Sequence, residues 1–155
     1  PFHLTTPILR RLLSSGRWND AVLLTQWEVA RKRAGVGGGT MMTAQSAPWF
    51  EFSLEGRVPA WGFSPQPSVD GGLLAITRRG SPLVPDADRR AYDAFVRAMF
   101  TGRGGGLPAI VATAARLPMP RARRAVADSG AGERRLPRDL RPQDWAALWH
   151  QVARG

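Results

Sequence analysis

Residues 9–26 read LRRLLSSGRWNDAVLLTQ, and this stretch decides the predicted fold. Leu9, Leu12 and Leu13 have the spacing of one helix face, and Gly16 can end that helix because glycine readily adopts the left-handed C-cap conformation. A second helix is predicted up to Gly35. Its apolar residues recur at i, i+4, i+7 and i+11: Leu23, Trp27, Ala30 and Ala34. The sequence therefore predicts a helical hairpin over residues 1–35.

The same pattern returns in the second half of the chain. Tyr92, Phe95, Val96, Met99 and Phe100 form an apolar face at helical spacing. A glycine-rich loop at 102–106 follows, and then a shorter helix that begins near residue 108, so a second helical hairpin is predicted over 86–128. Residues 129–155 are predicted to form a basic linker and a C-terminal helix.

Residues 36–85 interrupt the helical pattern with eight glycines and six prolines. Phe50, Phe52 and Leu54 alternate with polar residues, which is the period of a half-buried strand. A return strand over 58–63 would give a small β-hairpin at 49–63, although an extended arm fits as well, and Leu73–Thr77 is a candidate third strand. The predicted fold class is mainly α: two helix-turn-helix hairpins and a C-terminal helix, separated by this Gly/Pro-rich insert.

The two predicted hairpins align when Gly16-Arg17 is superposed on Gly102-Arg103. The stretch from Leu9 to Gln26 resembles a pentatricopeptide-repeat unit, in which a first helix ends at such a glycine before a second helix of the form D/E-A-x-x-L. Asp20, Ala21 and Leu24 stand at those positions. The resemblance implies helical-hairpin architecture and an organellar setting. It carries over no base-reading residues, because two separated hairpins cannot build the stacked surface of a solenoid.

The charge of the chain is its most informative global property. Its 22 Lys and Arg residues outnumber 12 acidic residues, giving a net charge of +10, and all the cations except Lys32 are arginines. Arginine binds phosphate through a planar fork of donors, so this excess favours a polyanionic partner. No apolar run is long enough to cross a bilayer, and the absence of cysteine excludes a thiolate metal site or a cysteine nucleophile.

Catalytic motifs are not recognisable in the sequence. The two histidines, His3 and His150, have no metal-ligand spacing, and no serine lies in a nucleophile elbow. Residues 102–106 (GRGGG) precede a helix, but they lack the lysine of a Walker loop and follow a helix instead of a strand. The sequence therefore predicts no enzyme, no catalytic residue, no small-molecule substrate, no cofactor and no metal.

Basic residues are distributed along the whole chain, which is typical of a protein that contacts a large anionic surface without reading its sequence. The densest run, residues 116–141, holds eight arginines. The residues predicted to bind RNA or another polyanion are Arg31, Lys32, Arg33, Arg78, Arg79, Arg103, Arg121, Arg123, Arg124, Arg134, Arg135 and Arg138.

Tryptophan supplies the candidate contacts with protein partners, because aromatic residues and arginine concentrate binding energy at interfaces. Trp49 and Trp61 lie in the Gly/Pro-rich insert, which offers little core to bury them. Trp145 and Trp149 lie on the predicted C-terminal helix, where burial in the core is the alternative interpretation. We predict that these four residues dock onto neighbouring subunits.

These patterns lead to a prediction of function that does not involve catalysis. We expect an accessory subunit of a large mitochondrial assembly, namely a lineage-specific mitochondrial ribosomal protein whose arginines contact the rRNA backbone. The alternative is a supernumerary subunit of a respiratory complex or the ATP synthase, with protein and lipid contacts only. Because the chain starts at Pro1 and not at Met, we also expect a cleaved mitochondrial presequence.

Overall fold

The computed structural model describes residues 2–133 and 135–154. The chain forms two compact units, and each is made of two separate stretches. The first unit comprises Pro1–Gly37 and Phe50–Gly80, and the second comprises Gly38–Trp49 and Ser81–Gly155. Among the residues described, no helix has both the length and the apolar character needed to cross a bilayer.

The first unit is built on a three-stranded antiparallel sheet. In chain order its elements are α1 (Thr5–Ser14), β1 (Asp20–Gln26), α2 (Trp27–Arg33), β2 (Phe50–Val58) and β3 (Gly71–Arg78). The strand order is β1-β3-β2, so the last strand of the sequence is the central one. It pairs with β1 from Asp20↔Thr77 to Gln26↔Gly71, and with β2 from Phe50↔Arg78 to Val58↔Gly71.

Helix α2 lies directly against the central strand because β3 begins with two glycines. A Cβ atom added to Gly72 would lie 2.6 Å from the Cβ of Ala30 and 3.2 Å from the Cα of Trp27. Any side chain at this position would push the helix off the sheet. Farther along β3, Leu74 and Ile76 are completely buried and form the core of the unit.

Arg78 joins the end of β3 to the loop after α1. Its Nε donates to the carbonyl of Trp18 at 2.9 Å and its Nη2 to the carbonyl of Ser15 at 2.7 Å. The Trp18 and Phe50 rings stack at 5.3 Å, and the guanidinium of Arg78 lies over both. Arg78 therefore fixes a loop within its own unit.

The second unit is helical. Its elements are α3 (Met41–Ser46), α4 (Arg89–Thr101), α5 (Leu107–Ala115), α6 (Met119–Ser129) and α7 (Pro142–Ala153). Edge-to-face contacts join Tyr92 to Trp49 and to Trp149, with ring centroids 5.7 Å apart in both pairs. Trp145 stacks on Phe100 at 5.9 Å. These aromatic contacts between α4 and its neighbours form the core of the unit.

Asp144, in the first turn of α7, organises the segment that precedes this helix. Its side chain is 8% exposed and accepts from Nη1 of Arg135 at 3.0 Å. It also accepts from the backbone N–H of Arg141 at 2.9 Å, which caps the helix, and from the Arg141 guanidinium. Burial alone would raise the pKa of Asp144, but the hydrogen bonds from Arg141 and the charge of Arg135 outweigh it and hold this pKa below its ordinary value.

The predicted fold class is wrong, since residues 1–35 do not form a helical hairpin. Asp20–Gln26, which was expected to be helical, is strand β1, and the helix that follows begins only at Trp27. The predicted β-hairpin at 49–63 is also wrong. Residues 60–62 form a short 3₁₀ helix, and the partner of β2 is β3.

Candidate functional site

The first unit contains a cleft of about 510 Å³ beside strand β1. Its walls come from the turn before α1, from α1, from β1 and from the connection between β2 and β3. The lining residues are Phe2, Thr5, Ile8, Leu23, Leu24, Thr25, Phe63, Pro65 and Pro67. A cleft of this size, lined mostly by apolar groups with a few polar atoms, has the character of a small-ligand site.

Two phenylalanine rings meet edge to face in this cleft. The centroids of Phe2 and Phe63 lie 6.4 Å apart, and the ring planes are at 85°. Phe63 lies close over the first residue of β3, because a Cβ atom on Gly71 would come within 2.9 Å of its ring. The glycine at position 71 thus makes room for the Phe63 ring against the sheet.

A pair of threonines fixes the position of Phe2. The Oγ1 atoms of Thr5 and Thr25 lie 2.7 Å apart, and Thr5 donates to the carbonyl of Phe2 at 2.9 Å. Because the Thr5 proton is used on that carbonyl, Thr25 is the donor within the pair. Thr25 is 1% exposed, so this bond is shielded from water. The pair ties strand β1 to the turn that carries the aromatic ring.

Asp70 holds the other wall of the cleft, the segment between β2 and β3. Its Oδ1 accepts from the backbone N–H of Ala60 at 2.8 Å and its Oδ2 from Nε of Arg57 at 2.6 Å. These bonds, first that from Ala60 and then that from Arg57, lower the pKa of Asp70. The carboxylate therefore stays charged at neutral pH and closes the loop on which Phe63 lies.

The chemistry of the cleft is that of stacking. Among its lining residues none has an ionisable side chain, and its side-chain polar atoms are the two threonine hydroxyls. Such a cleft offers no general acid or base. It is suited to a flat aromatic group held between apolar and aromatic side chains, which is how enzymes that modify nucleobases hold a base taken out of the helical stack.

Sequence reasoning missed both aromatic residues of the cleft. Trp61 was selected because it is an aromatic residue in the Gly/Pro-rich insert, which has little core of its own. Phe63 lies in the same insert, so the same reasoning could have found it. Phe2 had no local signal, because it becomes recognisable only when the turn before α1 meets the loop after β2.

The predicted polyanion-binding residues belong to both units, and several are engaged inside their own units. Arg78 is bound to two carbonyls, as described above. Arg79 pairs with Glu51 at 2.7 Å, Arg135 with Asp144 at 3.0 Å, and Arg31 with the exposed Glu28 at 3.1 Å. Binding to a polyanion by these four arginines would compete with contacts that they already make.

The remaining predicted cations are more accessible. Lys32, Arg103, Arg121 and Arg123 are exposed. Arg124 and Arg138 form long ion pairs with acidic neighbours, at 3.7 and 4.0 Å. Arg33 is half-buried, and burial, followed by the charge of Arg10, lowers its pKa. Arg134 lies outside the described residues.

Three of the four predicted docking tryptophans are in the core of the second unit. Trp49, Trp145 and Trp149 are 3%, 2% and 7% exposed. The indole of Trp49 donates to Asp86 and that of Trp149 to Asp88. A docking role for these three is therefore not supported. Trp61 is 78% exposed, and its docking role stays a prediction.

The sequence of this chain matches that of known proteins. Residues 1–130 match the family model of ribosomal RNA adenine dimethylase. The chain belongs to the ribosomal RNA adenine dimethylase family. It is 53% identical over 153 residues to the mycinamicin-resistance protein MyrB of Micromonospora griseorubida, an alignment that covers 96% of this chain and 47% of MyrB. It is 60% identical over 111 residues to an rRNA adenine N-6-methyltransferase of Corynebacterium diphtheriae, covering 72% of this chain and 44% of that protein.

A solved structure of an rRNA methyltransferase has the same fold. The crystal structure of the 23S rRNA methyltransferase ErmE superposes with a TM-score of 0.87 at 30% identity, covering 99% of this chain and 62% of that one. The chain spans less than half the length of the curated relatives it matches, between 32% and 47%.

Membership of the dimethylase family corrects the functional predictions. The resemblance to pentatricopeptide repeats is wrong, since Asp20, Ala21 and Leu24 lie on strand β1. The predictions of a non-catalytic subunit, ribosomal or respiratory, and of a protein that is not an enzyme are overturned by relatives named as methyltransferases. The mitochondrial setting is also wrong, because the close relatives are bacterial proteins.

Proposed function

We propose that the protein to which this chain belongs methylates N6 of an adenine in ribosomal RNA, and that the aromatic cleft holds that adenine. Two lines of support converge on this proposal. The relatives bear the name of that reaction at up to 60% identity. The single structural observation that carries it is the Phe2–Phe63 pair in a cleft without ionisable side chains.

The physical reason lies in what the reaction requires of the substrate. An adenine inside an RNA helix hides its amino group, so the base must leave the stack and be held elsewhere. Stacking on an aromatic side chain contributes about 1–3 kcal/mol per base. The ring of Phe63, fixed over Gly71, offers such a surface, and Thr5 and Thr25 keep Phe2 opposite it. The role of the cleft is thus to orient the base.

Ribosomal RNA is the proposed macromolecular partner, in agreement with the net charge of +10. The reaction also needs S-adenosylmethionine, which supplies an electrophilic methyl group. The proposal therefore replaces the prediction that no small-molecule substrate takes part. Among the described residues no strand is followed by a glycine-rich loop and a helix, the usual arrangement for an adenine-containing cofactor. We assign no residue of this chain to the methyl donor.

The test measures transfer of a labelled methyl group from S-adenosylmethionine to rRNA of a susceptible bacterium by the complete gene product. Mass spectrometry of the digested RNA identifies the modified nucleoside. Phe63→Ala should lower turnover by about 5- to 150-fold, which corresponds to the loss of 1–3 kcal/mol of stacking. Trp61→Ala, in the same connection but outside the cleft, is the matched control and should change turnover less than twofold.

Two results would contradict the proposal. The wild-type protein leaves no N6-methyladenine in the rRNA, or Phe63→Ala turns over as fast as Trp61→Ala. Phe63→Leu separates stacking from simple filling of the cleft, because leucine keeps most of the apolar volume and has no ring.

The similarity to MyrB suggests the biological consequence. MyrB is named for resistance to mycinamicin, and the identity extends over 153 residues. We propose the same role for this protein. Expression of its gene in a susceptible host should raise the inhibitory concentration of mycinamicin, and the Phe63→Ala variant, expressed to the same level, should not.

A further inference from the structure

A second cleft, of about 460 Å³, lies in the helical unit between α6 and α7. Its charged residues are Arg121, Arg124 and Asp128 from α6, with Arg154 from just beyond α7. Gln151 adds an amide from α7. Three guanidinium groups and one carboxylate leave the cleft with an excess of two positive charges.

The sequence of α6 explains why its arginines line the cleft. Ala122, Ala125 and Val126 are buried against the unit, which sets the inward face of the helix. Arg121 and Arg124 are three residues apart, so they lie one above the other on a neighbouring, solvent-facing side. Ala125 also lines the cleft, and its small side chain occupies little of it.

The donors of this cleft are largely unused, unlike those of the arginines nearby. Within the described part of the chain, neither Arg121 nor Arg154 pairs with a carboxylate. Arg124 reaches Asp128 only at 3.7 Å, and the two side chains are 84% and 51% exposed, which makes this a weak pair. By contrast, Arg135 is held by the buried Asp144. The cleft thus presents guanidinium groups that are available to a ligand.

We propose that this cleft binds the phosphodiester backbone of the RNA substrate, an inference that rests on the proposed function for the identity of the polyanion. Guanidinium groups bind phosphate oxygens in bidentate fashion, and Arg121 on α6 and Arg154 just beyond α7 both line the cleft. The Gln151 amide can donate to a phosphate or exchange a hydrogen bond with a ribose 2′-hydroxyl. The cleft reads no base; it positions the RNA on the helical unit.

The experiment compares two double variants that lose the same charge. Arg121→Gln/Arg154→Gln removes the two arginines without a partner in the cleft, and Arg90→Gln/Arg97→Gln removes two exposed arginines of α4, outside it. The complete gene product is titrated against a fluorescein-labelled RNA hairpin with an adenine-containing loop, at salt concentrations from 0.05 to 0.3 M. Melting curves by circular dichroism verify that both variants fold.

The expected result is a change in the salt dependence of binding. Each phosphate contact contributes a slope of about 0.7–0.9 in a plot of log affinity against log salt, so the cleft variant should lose about 1.4–1.8. Over the sixfold range from 0.3 to 0.05 M salt, the affinity of the cleft variant should therefore rise about 12- to 25-fold less than that of the wild type. The α4 variant should keep the wild-type slope.

The proposal is overturned if the cleft variant keeps the wild-type slope, or if both variants lose slope equally, since that would reflect net charge alone. It is also overturned if polyglutamate of matched charge competes as well as the RNA, because the cleft would then be an acidic-protein site.

Methyl transfer is measured on the same preparations. Wild-type protein that binds RNA through the cleft without methylating it refutes only the proposed function, and full methylation with an unchanged slope in the cleft variant refutes only this inference.

Discussion

Replacing Asp144 tests how the start of α7 is stabilised. The buried carboxylate caps the helix through the backbone N–H of Arg141 and receives a charged hydrogen bond from Arg135, which is 33% exposed. Loss of a helix cap costs about 1 kcal/mol, and loss of a largely buried, charge-assisted hydrogen bond costs about 2 kcal/mol. Asp144→Ala should therefore destabilise this region by about 3 kcal/mol. The bond to the exposed Arg141 side chain is left out of the sum, because water can replace it.

Asp144→Asn divides this sum into its two parts. Asparagine keeps an oxygen that can cap the helix but loses the charge, so we expect about 2 kcal/mol, from the Arg135 bond alone. Native-state hydrogen exchange of peptides from residues 131–153, measured on the complete gene product, reports the local unfolding free energy. Asp128→Asn, which breaks an exposed pair at 3.7 Å, is the control and should cost less than about 0.5 kcal/mol.

The effect also has a defined dependence on pH. The pKa of Asp144 is lowered in the folded protein, so its stabilising contribution is complete above the unfolded pKa of about 3.9 and is lost as the pH falls through the folded pKa. The penalty of Asp144→Asn should accordingly be constant near pH 7 and shrink below pH 4. A value for Asp144→Ala within 0.5 kcal/mol of wild type at pH 7 would refute this account.

Two further predictions concern the sheet. Gly72→Ala should destabilise the first unit by about 1–3 kcal/mol, because its Cβ would lie 2.6 Å from that of Ala30. The control is Gly16→Ala, whose Cβ would meet no atom within 4 Å and which should leave the melting temperature unchanged. Equal melting temperatures for the two variants would contradict the close packing at Gly72. Arg78→Lys should also cost about 1–3 kcal/mol, because the compact ammonium of lysine has no planar fork that can reach both carbonyls and lie flat over Trp18. The affinity for RNA should not change, and a loss of affinity without a loss of stability would instead give Arg78 the polyanion-binding role expected from the sequence.

The helical unit shows what local pattern can predict. The apolar face that begins at Tyr92 predicts a helix, and α4 is observed over Arg89–Thr101. The pattern around Trp145 predicts the C-terminal helix, observed over Pro142–Ala153. Both predictions are confirmed because the apolar residues of a helix that packs against a core recur every three or four positions, and this spacing is visible within the helix's own sequence.

The sheet unit was predicted only in part: the alternation from Phe50 to Leu54 and the possible strand at 73–77 correspond to β2 and β3, but β1 was missed. Ala21 to Leu24 form a short continuous apolar run, which periodicity alone cannot assign to a strand or a helix. The spacing of Leu23, Trp27 and Ala30 suggested one helix, but it crosses the junction between β1 and α2. What makes the first part a strand is its pairing with β3, about 50 residues later in the chain, and no local window contains that partner.

The candidate site was missed for the same reason. Phe2, Thr25 and Phe63 meet only after the sheet has formed, and none of them lies in a sequence motif that the physical rules of local structure identify. The arginine prediction, which stays a prediction, shows a different limit of sequence reasoning. Charge counting found Arg78 and Arg135, but it cannot distinguish a guanidinium held by its own unit from one that is available, such as that of Arg121.

The strand order β1-β3-β2 has a consequence for synthesis of the protein. On the ribosome, β1 and β2 cannot form their hydrogen bonds to the central strand until Gly71–Arg78 has left the exit tunnel. The intervening stretch Gly38–Trp49 belongs to a unit whose other residues, from Ser81 onward, are translated later still. Both ladders of this sheet therefore depend on the strand that is synthesised last of the three, so a nascent chain that ends before residue 71 can form neither of them.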